Sequence, residues 1–137
     1  MKKLLSFFIF LAAISSGYGQ EASTETTQME RVMKVHDDLM AEDMGTMVRL
    51  IGQLQTKSKA GGDTQKYDRA VTDLKLANKA MADWMQGFGS RFTADEMMKG
   101  KALSGQKQRW LTEEENKLNK LKSQIDSSIA SAKAILQ

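Results

Sequence analysis

The chain has 137 residues, 20 Lys and Arg against 17 Asp and Glu, one His, no Cys and no Pro. Setting aside Lys2 and Lys3 at the extreme N-terminus leaves 18 basic against 17 acidic residues, which gives no clustered basic face for nucleic acid. Without cysteine there is no disulfide framework and no lipobox thiol to acylate, so packing alone must hold a single domain of this length.

The N-terminus reads Met1-Lys2-Lys3, then an apolar run from Leu4 to Ile14, then Ser15-Ser16-Gly17-Tyr18-Gly19. A positive start, a short apolar centre and small residues before Gln20 predict a cleaved signal peptide over 1–19 and an exported, periplasmic or secreted, mature protein. The apolar run is shorter than the about 20 residues that a bilayer-spanning helix needs. Residues 20–26 are polar and read as a lead-in.

A first helix is expected over about 28–59. Thr27 and Glu30 have capping-box spacing, and Gly61-Gly62 mark the stop. Its apolar row, Met29, Met33, His36, Met40, Met44, Met47, Ile51 and Leu54, runs in steps of three and four and so shares one face, with Val32, Leu39, Val48 and Leu50 widening it. Gly45 and Gly52 lie inside it seven residues apart. Each costs about 1 kcal/mol relative to alanine, so they are either tolerated or form a flat strip against which another backbone packs.

Asp63 or Thr64 can cap a second helix over about 64–87, with Tyr67, Val71, Leu74, Ala77, Met81, Trp84, Met85 and Phe88 facing inward and an end near Gly87 or Gly89. A short helix over about 94–99 follows, capped by Thr93 with Glu96 and closed by Gly100; Phe92, Met97 and Met98 would hold it to the bundle. Lys99, Lys101, Lys107 and Arg109 form a local basic excess, read as a solvated connector rather than an anion site. A third helix covers about 106–136, with Trp110 or Leu111, Leu118, Leu121, Ile125, Ile129, Ala132 and Leu136 inward; Thr112 with Glu115 offers a later start. The fold class is therefore all-α: an elongated up-down-up three-helix bundle, or a coiled-coil-like helical hairpin plus a third helix. A homodimer is compatible with the narrow seam.

Catalysis has little support. No cysteine is present, and Asp37 and Asp38 beside the single histidine are expected to point away from its face, unable to orient it as a triad acid does. Asp37, Asp38, Glu42 and Asp43 read as hydrated surface, and no phosphate-cradling loop occurs. No catalytic residue and no cofactor is assigned, and the chain reads as a non-enzyme. Met33, His36 and Met40 have the helical spacing for a soft ion such as Cu(I) or Ag(I), but methionines at that spacing are more often core filler. Trp84, Met85 and Phe88 either plug the bundle end or, if exposed, form a partner patch. Leu111-Thr112 matches only the start of the Leu-Thr-x-x-Gln repeats of helical stress chaperones, which leaves a holdase as a further alternative.

Three blocks in order carry a family resemblance: Val35-His36-Asp37-x-x-Met40-x-x-x-Met44-Gly45-x-Met47, Trp84-Met85-x-x-Phe88, and Ile125-x-x-x-Ile129-Ala130-x-Ala132-Lys133-x-x-Leu136. Together they resemble a group of small exported helical proteins of Bacteroidota often labelled "viral A-type inclusion protein". The resemblance implies a helical envelope protein of unknown role. The residues themselves are read as a non-enzymatic periplasmic bundle that binds another protein or envelope component, with His36, Asp37, Met40, Met44, Gly45, Trp84, Met85 and Phe88 as candidate partner-binding or core residues. Members of that group are commonly lipoproteins; this chain departs from them in lacking the cysteine, so an anchor is not carried over.

Overall fold

The computed structural model describes residues 27–137, and the expected signal peptide and lead-in lie outside them. The fold is all-α, with α1 Gln28–Asp38, a π-helical turn Leu39–Asp43, α2 Met44–Lys59, α3 Thr64–Arg91, α4 Ala94–Met98 and α5 Gly105–Leu136. Among the described residues there is no strand and no helix long and apolar enough to cross a membrane.

Local chemistry sets most of the ends. Thr27 accepts from the Glu30 amide while the Glu30 carboxylate accepts from the Thr27 amide at 2.7 Å, and Thr93 with Glu96 repeats this reciprocal cap. Both pairs satisfy amides that the first turn leaves free. Asp63 caps α3 and Ser104 caps α5. Gly61 and Gly62 take φ of 94° and 101°, a region where a side chain would be strained.

Two ends differ from the sequence expectation. α3 passes Gly87 and Gly89 and stops at Arg91, because Phe88 and Phe92 are both buried and anchor its last turn. Burying one such ring is worth roughly 1.5–3 kcal/mol, enough to offset a glycine in the helix at about 1 kcal/mol. α5 begins at Gly105, and Thr112 and Glu115 form no cap. Instead the Thr112 hydroxyl donates to the Gln108 carbonyl, and Glu115 accepts from the Gln28 amide group of α1 at 2.6 Å.

The larger departure is inside the first rod. The Met44 amide bonds to the Leu39 carbonyl, five residues back, so this turn holds one residue more than an α-turn. Leu39 and Met47, eight residues apart, would be offset by about 80° on a regular helix of 3.6 residues per turn; the wide turn brings both inward. The buried row is accordingly Met29, Val32, Leu39, Met47, Leu50 and Leu54. Met40, expected inward, is 40 % exposed, as is Met85 of α3 at 42 %; Met33, His36, Met44 and Ile51 are half-buried.

Pairings along the rods fix their directions. His36 stacks on Trp84 and Ser58 bonds Asp68, so α3 runs back along α1 and α2. Trp84 Nε1 donates to the Glu114 carbonyl and Arg91 pairs with Glu113, so α5 runs back along α3. Leu54, Leu74, Ala77, Ile125 and Ala132 are fully buried between them. Gly45 and Gly52 face outward, and a Cβ at either would meet nothing within 4 Å, so among the described residues no backbone packs on them.

The basic excess after α4 is partly neutralised: Lys99 pairs with Asp95 and Lys107 with the buried Glu96. The Lys107 ammonium, with the Thr93 amide, holds the Glu96 carboxyl down at about 2 from its usual 4.5. Because the folded value lies below the unfolded one, this carboxylate stabilises the fold fully above about pH 4.5 and loses that contribution as the pH falls toward 2. Thermal melts across that window are expected to fall more steeply for the native chain than for Glu96→Gln; parallel acid limbs would refute this.

Candidate functional site

The residues with unspent chemistry gather where α1, the end of α3 and α4 meet. On α3, Trp84 and Phe88 lie four residues apart and so share one face, and Phe92, the residue that caps the helix, lies four further on. Trp84 stacks on Phe88 with the planes 25° apart, and Phe88 meets Phe92 in a tilted contact at 40°, each pair with centroids 4.8 Å apart. α1 extends this column by one ring: His36 lies over Trp84 at 5.8 Å with the planes 30° apart. The indole N–H is satisfied by the Glu114 carbonyl at 3.3 Å, which fixes the ring's orientation.

His36 is held from its outer edge. Its Nδ1 lies 2.9 Å from Asp37 Oδ1, which corrects the expectation that Asp37 points away: neighbouring residues diverge along a helix, but these two side chains are long enough to meet. A carboxylate only accepts, so Nδ1 carries the proton, and in the neutral ring Nε2 holds the free lone pair. That nitrogen is buried and has no hydrogen-bond partner. An unsatisfied buried polar atom costs about 1–3 kcal/mol, so the fold tolerates a penalty at this one side-chain atom.

Beside the ring column lies a recess of about 170 Å³, lined by Met33, His36, Trp84, Met85, Phe88, Gly89 and Met97. Its walls carry three thioethers and one imidazole, with no carboxylate, hydroxyl or ammonium. Among the described residues no group of three or more His, Asp or Glu side chains could hold a metal ion. A second buried polar cluster lies behind Trp84, where Glu114 is 2 % exposed and pairs with Arg91 at 3.1 Å and Lys117 at 2.8 Å. All its charges are matched, so it reads as a structural clamp between α3 and α5.

Of the residues singled out by sequence, Met33, His36, Trp84, Met85 and Phe88 line the recess and Asp37 supports it. Met40 lies outside it and exposed, Gly45 is exposed, and Met44 packs half-buried against the core. Met97 and Gly89 complete the lining without having been assigned a site role. For Met97 the available signal was the capped short helix with its apolar residues, which had to dock somewhere. Compared with models of known families, with curated proteins and with solved structures, the chain matches none.

Proposed function

We propose that this chain is a non-enzymatic, exported helical protein that acts by binding, with the recess at the junction of α1, α3 and α4 as its binding face. The observation that carries the reading is the unpartnered, buried Nε2 of His36, a residue that lines a recess of otherwise apolar and thioether side chains. Catalysis would need a nucleophile or an acid–base pair there, and the lining offers a single imidazole. Methionine-rich surfaces adapt to what they bind because the side chain is unbranched and polarizable. Export rests on the N-terminal Lys-Lys and apolar run, and an envelope role is what the resemblance read from the sequence blocks would imply.

The test is a photo-cross-linking residue placed at Met85, which is exposed at the recess rim, with Leu76 as the comparison. Leu76 lies on the same helix and is 54 % exposed, but is absent from the recess. In intact cells a discrete adduct is expected from position 85 alone. No adduct from position 85, or the same adducts from both positions, would overturn the reading.

A further inference from the structure

Resting on that binding reading, we propose that the recess takes one soft monovalent cation, Cu(I) or Ag(I), on His36 Nε2 and the thioethers of Met33, Met85 and Met97. This ligand set differs from the helical triplet Met33, His36 and Met40, because the wide turn leaves Met40 outside. Three separate elements supply the sulfurs: α1 gives Met33, α3 gives Met85 and α4 gives Met97.

Four features point to a soft ion. Asp37 holds Nδ1 at 2.9 Å and so presents Nε2 as the donor, the arrangement in which a carboxylate orients a metal-binding imidazole. Nε2 itself is buried and unpartnered. The remaining candidate donors are thioethers, which select Cu(I) over oxygen-seeking ions, and hard cations would meet no carboxylate in the lining. The volume of about 170 Å³ is below the roughly 300 Å³ at which drug-sized ligand pockets begin, which suits an ion better than a larger organic ligand. Methionine's rotatable side chain lets the sulfurs close on the nitrogen without moving the helices.

The experiment is a titration of the full mature chain with Ag(I), which needs no reductant, followed by anaerobic Cu(I) against a chelating competitor. Trp110→Phe leaves Trp84, stacked on His36, as the fluorescent reporter, and the single imidazole gives one set of ring NMR signals. Saturable uptake of one ion per chain is expected, shifting those ring signals and changing the Trp84 emission. Met33→Leu, Met85→Leu and Met97→Leu, which nearly conserve volume, should together abolish uptake. Asp37→Asn should weaken it by about tenfold or more, as loss of an orienting carboxylate does. Met40→Leu and Met98→Leu should leave it unchanged.

Absence of saturable uptake, uptake that survives the triple substitution, or equal loss on Met98→Leu would each overturn the assignment. If metal fails while position 85 still yields its discrete adduct, the recess is a protein-docking face alone. If both fail, the binding reading itself falls.

Discussion

Trp84→Ala is expected to lower the stability of the protein by about 3–5 kcal/mol, the range for removing a buried aromatic and leaving a cavity. The indole is 8 % exposed and lies between two rings, His36 at 5.8 Å and Phe88 at 4.8 Å, so neither neighbour can collapse far into the space. Trp84→Phe separates packing from hydrogen bonding. It keeps a ring in the column and removes the donor to the Glu114 carbonyl, for an expected loss of about 1 kcal/mol. Urea unfolding of the three proteins checks both values through the midpoint and slope. Equal losses in the two variants would show that the hydrogen bond, rather than the filled volume, holds α1, α3 and α5 together here.

The second large effect has the opposite sign. Gly45→Ala with Gly52→Ala is expected to stabilise the chain by about 2 kcal/mol, from a helix propensity gain of about 1 kcal/mol at each site. Both glycines lie within the helix, neither has positive φ, and both have open space where the Cβ would go. They are seven residues and so about 10 Å apart along the axis, far enough for the two gains to add. The melting temperature should rise by about 4 °C or more per kcal/mol. Gly62→Ala supplies a contrast of opposite sign, since φ of 101° strains any side chain. A neutral or destabilising result at Gly45 and Gly52 would mean that these positions are not regular helix in solution.

Legibility in the sequence followed the range of the interaction. Thr27 with Glu30 and Thr93 with Glu96 could be read in advance because each cap closes within four residues. Gly61-Gly62 could be read for the same reason, as a stop that depends only on its own backbone angles. Gly87 and Gly89 misled, since what carries α3 past them is Phe88 and Phe92 docking on other elements. The π-turn was invisible because no residue in Leu39–Asp43 demands it; it accompanies the burial of Val32 and Leu39 on one side of it and Met47 and Leu50 on the other, which depends on the docked helices. For the site, periodicity placed His36 on α1 and Trp84, Met85 and Phe88 on α3. It carried no information on which turn of one helix faces which turn of another, so Met97 joined the lining and Met40 left it only once the helices were docked.

The wide turn has a consequence for how the two ends of the protein can change over evolution. With a strict α-rod, any alteration that rotated the His36 end would be transmitted as the same rotation to Met47, Leu50 and Leu54, and the hairpin core would have to be rebuilt with it. The extra residue between Leu39 and Met44 instead acts as a phase joint, setting the facing of each half by its own contacts. Substitutions at Met33 or His36 can therefore reshape the recess while the α2–α3 hairpin keeps its packing, so the two ends of the first rod can change independently of each other.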